Sequence, residues 1–470
     1  MSDSPVHTLD KEALLARKDQ ELHEWKAHEK IVFRIAFILF LLLVVPFTAR
    51  WYNLFTETDW LHLHCRHVYS IASGGFGIDF VDIETESGKW GIASYINLAI
   101  TLLISIVVGL LWTLVDKKSK NYNQLYYWIR VIVRYRVAFS MIAWGYRKLL
   151  PMQMVWPTEA ILRTPFIDMQ EQKLYWQSVG IVPGYEIFLG FAECLAGFLL
   201  LVRQTTTLGA ALTTVVLGNI VIANHVYDGS VHLHSFHFAL LGFLLLWYDL
   251  PRIFQLLVTE KDVLPLHYYP SFDLKWQKYV RIGLKASGYG LFVVLLLILQ
   301  WDNYLHDSYR IPSTPGLKDA KGYYEVSAFS VNNKSIAYNP FDTLRWQDAV
   351  FEQWSTLSYK VNRVQEMDRG NGGGAEKKDI DRTWEHAGLG GGRHFYYYDA
   401  DTVNQVLHLQ NKKKEYRVLK QTLHYERTSF DRLILSGLNE YNDSIVVVLN
   451  RNDKAYPLLD GRQSNVRAYD

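Results

Sequence analysis

Two histidine motifs with the same spacing are candidates for binding a metal ion. They consist of His62, His64 and His67, and of His232, His234 and His237. Each motif reads His-x-His-x-x-His, and a leucine follows the first histidine in both. Three imidazoles this close can converge on Zn²⁺ or Cu²⁺ when an extended step leads into a helical turn. The alternative is that these histidines hydrogen-bond to loop backbone and lipid headgroups at the ends of membrane helices.

The second motif lies within Leu217–Leu246, where polar side chains crowd between two apolar runs. The polar residues of this stretch are Asn219, Asn224, His225, Asp228, His232, His234 and His237. A polar group close to hydrocarbon costs several kcal/mol unless it has a partner, so the cluster predicts a functional site. We interpret His225 as a further candidate metal ligand, with Asp228 or Asp59 available to bind the metal or to orient its ligands. A haem with axial histidines is less favoured, because both motifs lie at helix ends.

Composition predicts a protein that is partly in the membrane and partly in water. The chain has 470 residues, of which 49% are hydrophobic, and the long apolar runs all precede Asp302. The formal net charge of +2 gives no basic surface of the kind that nucleic acid requires. Cys65 lies in a predicted loop and Cys194 in an apolar run, so we predict no disulfide between them.

The hydropathy pattern predicts about seven transmembrane helices. They are Ile31–Phe47, Ala93–Val115, Leu125–Leu150, Tyr185–Val202, Thr207–Val226, Ser235–Leu257 and Ala286–Trp301. Each is close to the roughly 20 residues that a helix needs to cross a bilayer. Ahead of them, residues 1–30 form a predicted amphipathic leader helix, which lies on the membrane surface or is solvated. We expect Ile31–Phe47 to be a permanent span rather than a cleaved signal peptide, because the charged leader is long and no small-x-small site follows.

Basic residues orient these helices. They concentrate in the leader, at Lys117–Lys120, at Arg203 and in Pro251–Lys285, and they alternate with less basic connections. Under the positive-inside rule this places the N-terminus in the cytoplasm, for a protein of the inner (cytoplasmic) membrane. An odd number of spans then puts the C-terminal domain in the periplasm and both histidine motifs on that outer side.

The last third of the chain has the alternation of β-strands. The predicted strands are Tyr323–Val331, Thr402–Leu409, Glu415–Tyr425, Ser429–Leu438 and Ser444–Asn450. Short runs of β-branched and aromatic residues between polar turns favour an antiparallel meander or a small barrel. The glycine-rich segments Arg369–Lys378 and Gly388–Gly392 match neither a P-loop nor a dinucleotide-binding motif, so we interpret them as flexible loops.

Several stretches of the chain resemble the DoxX family of integral membrane proteins. They are RYRVAFSMIAWGYRKLLPMQM from Arg134, GYEIFLGFAECLAGFLLLVRQTTTLGA from Gly184 and NIVIANHVYDGSVHLHSFH from Asn219. The long form of that family, with a β-rich C-terminal extension, is similar through GYYEVSAFSVNN from Gly322 and YERTSFDRLILSG from Tyr425. The resemblance implies a four-helix membrane core and, through some relatives, quinone-dependent sulfur oxidation or another envelope redox process.

The resemblance also guides the division of the chain and marks recurring polar positions. The division is a leader (1–30), two N-terminal spans with an outer loop (31–125), the DoxX-like core (126–257), a basic loop with the last span (258–301) and an extramembrane β-rich domain (302–470). The candidates for cofactor binding are Asn224, Tyr227 and His237, and the candidates for catalysis are Glu193, Lys148 and Asp228. The chain departs from the family pattern in His225, His232 and His234 and in its extra N-terminal spans.

Glu193 and Lys148 are predicted to form an ion pair near the outer leaflet. Glu193 lies eight residues after Tyr185, which on a helix places it about 12 Å from the outer boundary. Lys148 is close to the outer end of its own helix, and its long side chain can reach inward. One interpretation is that Glu193 exchanges protons during quinone chemistry, because burial weakens the acidity of a carboxyl group. The other is a permanent ion pair that joins two helices.

The sequence therefore leaves two functions open. The first is a DoxX-like membrane component of an envelope redox process that binds quinone at an outer-leaflet polar site. The second is a non-enzymatic membrane scaffold, or a subunit of a larger envelope complex, whose β domain docks a partner protein. Both place the helices in a lipid bilayer. The polar cluster favours the first function, and the lack of a complete cofactor motif favours the second.

Overall fold

A computed structural model describes residues 24–75, 77–78, 80–81, 91–229, 231–261, 268–270, 272–372, 378–454 and 458. Most of the predicted leader helix, residues 1–23, lies outside this part of the chain. The chain folds as two compact units. The helical unit comprises Met1–Tyr146, Gly190–Val226 and Val231–Leu299, and the barrel unit comprises Arg147–Leu189, Tyr227–Ser230 and Gln300–Asp470.

Helices make up most of the chain before residue 307. They are α1 (Ala27–Val44), α2 (Ala49–Glu57), α3 (Cys65–Ser73), α4 (Ile92–Val115), α5 (Asn123–Leu149), α6 (Glu159–Leu162), α7 (Glu171–Gly180), α8 (Pro183–Leu201), α9 (Thr206–Val226), α10 (His232–Trp247), α11 (Leu250–Leu257), α12 (Lys275–Tyr289) and α13 (Leu296–His306). A π-helical turn, Gly290–Leu295, joins α12 to α13 without a break. The short helices α6 and α7 belong to the barrel unit.

Four helices in the described part of the chain are long and apolar enough to cross a membrane. They are Ile92–Val115, Pro183–Leu201, Arg203–Val226 and Lys275–His306. Helices α10 and α11 are bent by 62° relative to one another and would supply a fifth span if they cross together. Helices α1 and α5 carry charges such as Arg34 and Arg130, which lowers their average hydropathy. The prediction of a helical N-terminal part with apolar, span-length helices is confirmed, while insertion into a membrane and the count of seven spans stay predictions.

Small residues allow close helix contacts in the helical unit. A Cβ atom on Gly109 would lie 2.9 Å from the backbone of Ile35, and one on Gly145 would lie 2.8 Å from the backbone of both Cys194 and Gly190. Close approach at small residues is the usual way in which membrane helices gain van der Waals contact. These glycines therefore set the separation of α1 from α4 and of α5 from α8.

The barrel unit contains an antiparallel sheet. Its strands are β1 (Gly322–Val331), β2 (Lys334–Ser335), β3 (Asp348–Phe351), β4 (Thr356–Lys360), β5 (Arg393–Asp401), β6 (Val406–Asn411), β7 (Lys420–Ser429), β8 (Arg432–Leu438) and β9 (Ser444–Arg451). Strand β1 pairs with β3, each later strand pairs with the next, and β9 pairs back with β1. The sheet is thus closed into an eight-stranded barrel, with β2 as a short addition to β1. The prediction of a C-terminal antiparallel barrel is confirmed.

Side chains fill the inside of this barrel. Strand β7 shows why, because Gln421, Leu423 and Tyr425 are buried at alternate positions while their neighbours are exposed. The largest fully buried side chains of the interior are Tyr324, Phe351, Tyr359, Tyr396 and Tyr398, and Trp346 belongs to the same cluster. Eight strands enclose a space just wide enough for side chains, and here tyrosine and phenylalanine rings occupy it.

The connection between α5 and α8 belongs to the barrel unit, whereas the sequence analysis assigned it to the helical core. Met169 forms an isolated β-bridge with Leu389, and the backbone N–H of Gly390 donates to the carbonyl of Asp168. Gly391 has a φ of 69°, and a Cβ atom there would lie 2.2 Å from the Asp168 carboxylate. The segment Gly388–Gly392 is therefore a defined contact with the α5–α8 connection, and its glycines are needed for that close approach.

Candidate functional site

The histidines of the first motif are used mainly in starting helix α3. The backbone N–H of Arg66 donates to His64 Nδ1 over 3.2 Å, and the backbone N–H of His64 donates to His67 Nδ1 over 3.3 Å. His62 is exposed, and its Nδ1 lies 2.8 Å from Asp59 Oδ2. This arrangement supports the alternative in which the motif hydrogen-bonds to its own loop.

His225 and the histidines of the second motif contact aromatic and polar side chains of the helical unit. The ring of His232 lies 5.1 Å from that of His225, whose Nε2 is 2.8 Å from the hydroxyl of Tyr95. The ring of His234 lies 5.5 Å from Trp144 in an edge-on contact. Each of these three imidazoles thus has a different set of neighbours.

Among the histidines of the two motifs, His237 has the least satisfied ring. It is buried in α10, and neither ring nitrogen has a hydrogen-bond partner among the described residues. Two residues before it, Ser235 accepts a hydrogen bond of 3.2 Å from the side-chain amide of Asn224. A buried imidazole without a partner is costly, so His237 is a candidate for binding a polar group of a ligand.

The described residues contain no group of three or more His, Cys, Asp or Glu side chains arranged to hold a metal ion. The absence of such a group holds for both motifs, because all seven candidate histidines lie among the described residues: His62, His64, His67, His225, His232, His234 and His237. No such group among the described residues combines the two motifs. Metal binding therefore stays a prediction, and no chemistry is derived from it.

The candidate catalytic residues are divided between the two units. Glu193 is buried in α8 of the helical unit, whereas Lys148 and Asp228 belong to the barrel unit. Asp228 has a φ of 47°, in the turn after α9, and the ring of Tyr227 beside it stacks on Tyr175 at 4.8 Å. The Lys148–Glu193 ion pair stays a prediction.

Glu186 is a buried acid that the sequence analysis missed. Its Oε1 accepts hydrogen bonds from the backbone N–H groups of Gln153 (2.9 Å) and Met154 (2.8 Å). The positive charges of Lys148 and Arg310 both act on this carboxylate. The available signal was its place in the first turn of α8, because an acid there can also bind the N–H groups of a neighbouring segment.

A second group of buried charges lies between the α5–α8 connection and the loop before β5. The guanidinium of Arg310 lies 4.6 Å from the ring centre of Trp176 and 4.3 Å from that of Trp384. The ammonium of Lys173 donates to the carbonyl of Trp384 and lies 4.0 Å from its ring centre. Burial lowers the pKa of Lys173 well below its ordinary value. These cations are held by aromatic rings and carbonyls, which is an arrangement suited to joining two segments.

Glu385 and Lys412 form a fully buried ion pair in the barrel unit, with both side chains 0% exposed. Glu385 also accepts hydrogen bonds from Trp354 Nε1 (2.6 Å) and Thr356 Oγ1 (3.2 Å), and Lys412 donates to the carbonyl of Asp379 (3.1 Å). No sequence pattern indicates this pair, because Lys412 stands in a run of three lysines, which is typical of a solvated turn.

Glu352, at the end of β3, holds the start of helix α6. Its carboxylate accepts hydrogen bonds from the backbone N–H groups of Glu159 (3.1 Å) and Ala160 (2.9 Å). Burial raises the pKa of Glu352 to about 8, and the nearby charge of Glu385 acts in the same direction. The α5–α8 connection is thereby fixed to the end of the barrel at which β3 turns into β4.

A pocket opens at the opposite end of the barrel, where β1 finishes and β9 begins. This barrel-end pocket is lined by Phe329, Val331, Leu344, Trp346, Tyr359, Val361, Arg363, Asn439, Glu440, Tyr441 and Ile445. The rings of Trp346 and Tyr359 stack at 3.8 Å with 9° between their planes. Arg363 forms an ion pair with Glu440, whose other oxygen accepts a hydrogen bond from Gln421. The pocket thus combines an apolar floor with a charged wall.

Apolar side chains are exposed around this pocket. Leu344 and Tyr441 line it and are 44% and 51% exposed, and Tyr338 and Phe341, in the same loop as Leu344, are 66% and 79% exposed. These residues were not predicted as functional, because the loop between β2 and β3 has no recognisable sequence motif. The combination of exposed Tyr, Phe and Leu next to an Arg is typical of protein-binding surfaces.

Comparison with known proteins gives one partial similarity. Over 89 residues the chain is 36% identical to the uncharacterized protein YwoB of Bacillus subtilis (strain 168), a match that covers 18% of this chain and 58% of that protein. No protein-family model and no solved structure matches the chain. The resemblance to the DoxX family stays a prediction.

Proposed function

We propose that this protein is a membrane scaffold, a non-enzymatic subunit of an envelope complex, whose barrel unit docks a partner protein. The observation that carries the proposal is the barrel-end pocket with its exposed apolar rim. The rim provides apolar area that water does not stabilise, and the pocket provides a recess for an anchoring side chain.

The interior of the barrel supports docking over catalysis. Both members of the buried pair Glu385–Lys412 have hydrogen-bond partners, and the buried hydroxyls of Tyr359 and Tyr396 are hydrogen-bonded to one another. An enzyme would need reactive groups within reach of a substrate, whereas these groups bind one another. The accessible groups are Leu344 and Tyr441 and the edge of the Arg363–Glu440 pair. We infer that the partner inserts an apolar or aromatic side chain and places a polar group against the charged wall.

The test is a quantitative pull-down of the full-length protein from its native membranes in mild detergent. Leu344→Asp combined with Tyr441→Asp should reduce recovery of the bound partner at least tenfold, because each acid would be desolvated at the interface. The matched control is Val403→Asp with Phe430→Asp, since these two residues are 89% and 62% exposed on turns at the opposite end of the barrel. Equal recovery with both double variants would contradict the proposal.

We also propose that the N-terminus is cytoplasmic and the barrel unit periplasmic. The apolar helices and the distribution of basic residues support this orientation. Single cysteines in place of the exposed Lys118 and Lys414 should react with a membrane-impermeant thiol reagent from opposite faces of the inner membrane. The native Cys65 and Cys194 are buried and should give little background. Labelling of both engineered sites from one face would contradict the orientation.

A second function, quinone binding in an envelope redox process, is favoured by one observation. His237 is buried in the helical unit with no hydrogen-bond partner for its ring among the described residues, and a ring N–H there could donate to a quinone carbonyl. A bound quinone would supply the redox chemistry, while His237 would hold the carbonyl and Asn224, which is hydrogen-bonded to Ser235, would add polarity. The DoxX resemblance points to the same chemistry.

Quinone retention tests this second function separately. The full-length protein purified in mild detergent should carry close to one quinone per chain, and His237→Phe should lose most of it. His62→Phe is the control, because His62 is an exposed histidine of the same unit. Purification of the parent without quinone, even after incubation with ubiquinone or menaquinone, would exclude the function.

A further inference from the structure

The last long helix is longer than a bilayer requires. It runs from Lys275 to His306, 32 residues, with the π-helical turn inside it. At 1.5 Å per residue it measures about 48 Å, against roughly 30 Å for the hydrocarbon layer. About 12 residues are therefore left over. The basic residues lie in the N-terminal part, which is α12.

The cations of α12 form a line on one face of the helix, which we call the basic stripe. It consists of Lys275, Lys278, Arg281 and Lys285. Their spacing of three, three and four residues places them within about 120° around the helix and over about 15 Å along it. None of the four has a carboxylate within ion-pair distance among the described residues, and Asp273, two residues before Lys275, is the nearest acid in the sequence. Arg281 lies 5.4 Å from the ring centre of Phe272.

The other face of α12 is apolar and exposed. Trp276, Val280 and Leu284 follow at four-residue intervals and are 61%, 50% and 71% exposed. A helix with an apolar face and a basic face is the form that lies at a membrane boundary with cations directed to the headgroups. The basic stripe is thus continuous with a surface suited to lipid.

Aromatic residues mark the same end of the helical unit as an interface. Tyr269 and Phe272, just before α12, make edge contacts with Tyr127 (6.4 Å) and Trp128 (6.1 Å) at the start of α5. The guanidinium of Arg203 lies 3.3 Å from the ring centre of Tyr269. Tyrosine and tryptophan concentrate where membrane helices meet headgroups, so this level is where phosphates of lipids would be found.

We propose that the basic stripe binds the headgroups of anionic phospholipids. Four cations without acidic partners complement a lipid phosphate whose negative charge is not balanced by choline. They follow closely after Tyr269 and Phe272, the aromatic residues that mark this end of the helical unit as an interface. A basic residue near an anionic membrane surface contributes about 1 kcal/mol, which corresponds to roughly a fivefold preference per contact. The inference rests on the helical unit being in the bilayer and is independent of the docking and quinone proposals.

Lipid retention by the full-length protein tests the proposal. Protein in mild detergent is mixed with equal amounts of phosphatidylglycerol and phosphatidylcholine, passed over a sizing column and analysed for lipid by mass spectrometry. The parent should retain phosphatidylglycerol over phosphatidylcholine by about fivefold or more. The preference should fall in high salt, because salt screens exposed charges. Lys275→Gln, Lys278→Gln, Arg281→Gln and Lys285→Gln combined should bring the ratio close to one.

A matched variant removes the same number of charges elsewhere. Lys318, Lys334, Lys414 and Lys420 are exposed in the barrel unit, and their combined change to glutamine should leave the lipid ratio unchanged. If the quadruple change in the basic stripe impairs folding, Lys278→Glu with Arg281→Glu tests the same contact, because it also brings the net charge of the stripe to zero and should bring the ratio close to one. An equal ratio in the parent, an unchanged ratio in the stripe variants, or an equal loss in the barrel control would overturn the proposal.

Discussion

The two units are packed differently at their most deeply buried contacts. In the barrel unit, Glu385 and Lys412 are completely buried, and each has several hydrogen-bond partners. In the helical unit, Gly145 brings two helix backbones together. The contrast does not extend to every buried polar group, because His386 of the barrel unit and His237 of the helical unit both lack a hydrogen-bond partner for the ring among the described residues.

We attribute this difference to the surroundings that we propose for the two units, a lipid bilayer for the helices and water for the barrel. The candidate spans show only 6% to 39% of their residues buried inside the protein, so most of their apolar side chains point outwards. Lipid tails are as apolar as those side chains, and little hydrophobic driving force remains to join the helices. The barrel faces water, where burial of its aromatic core is favourable and polar pairs can be satisfied before they are enclosed.

The largest expected effect comes from breaking the buried pair. Lys412→Met leaves the Glu385 charge unpaired in the interior and should lower the free energy of unfolding of the barrel unit by about 3 to 5 kcal/mol. Guanidinium unfolding followed by tryptophan fluorescence measures it. Lys412→Met with Glu385→Gln should recover part of the loss.

An exposed ion pair in the helical unit contrasts with the buried pair of the barrel unit. It joins Glu24 to Lys120, whose side chains are 71% and 76% exposed. Lys120→Met should change the free energy of unfolding by less than about 1 kcal/mol, because exposed ion pairs contribute little. A similar loss for Lys412→Met and Lys120→Met would remove the contrast between the two units.

A smaller effect is expected from enlarging a helix contact. Gly145→Leu puts a side chain where a Cβ atom already lies 2.8 Å from the backbone of Cys194 and Gly190, and it should cost about 1 to 3 kcal/mol. Gly218→Leu is the control, since no atom lies within 4 Å of a Cβ there. Thermal unfolding in detergent compares the two. Equal melting temperatures would show that close helix contact is not what stabilises this unit.

The smallest predicted effect is a pH dependence that only the barrel unit should show. Folding raises the pKa of Glu352 from its ordinary value of 4.5 to about 8, so the folded form keeps a proton that the unfolded chain releases. The contribution of this carboxyl to the free energy of unfolding therefore falls as the pH rises from about 4.5 to 8. Lys173, with its lowered pKa, acts in the opposite direction, so the parent must be compared with Glu352→Gln.

The comparison is made between pH 6.5 and 9, where the buried His386 with its lowered pKa does not interfere. Glu352→Gln keeps the shape and stays neutral at every pH, so the parent should lose stability relative to this variant as the pH rises from 6.5 to 9. The relative loss should be on the order of 1 kcal/mol. A difference between the two proteins that stays constant over this range would mean that Glu352 folds as a carboxylate.

Long, periodic elements were predictable from the sequence. The expected span Ala93–Val115 is helix Ile92–Val115, and the expected strand Tyr323–Val331 is Gly322–Val331. Elements whose ends are set by a local turn were not predictable from the sequence. The predicted strand Thr402–Leu409 begins in the turn between β5 and β6, where the Asp401 carboxylate accepts hydrogen bonds from the backbone N–H groups of Val403 and Asn404. Strands β3 and β4 are four and five residues long, too short for alternation to reveal.

The candidate sites were harder to predict because they depend on contacts distant in sequence. The pairing of Glu352 with the start of α6 joins positions 192 or more residues apart, and no local pattern indicates it. The spacing of His64 and His67 suggests metal ligands. In the structure, His64 accepts a hydrogen bond from the backbone N–H of Arg66, and His67 accepts one from the backbone N–H of His64, at the start of α3. The spacing of the motif is also the spacing at which a helix start satisfies its own N–H groups.

The central claim is that a partner protein docks at the barrel-end pocket, and site-specific photo-crosslinking in living cells tests it most directly. A photoreactive residue in place of Leu344, which lines the pocket, should form a crosslink to one protein of defined mass. The same residue in place of Val403, on a turn at the other end of the barrel, should not form that crosslink. Crosslinks of equal yield at both positions, or none at Leu344, would contradict the account.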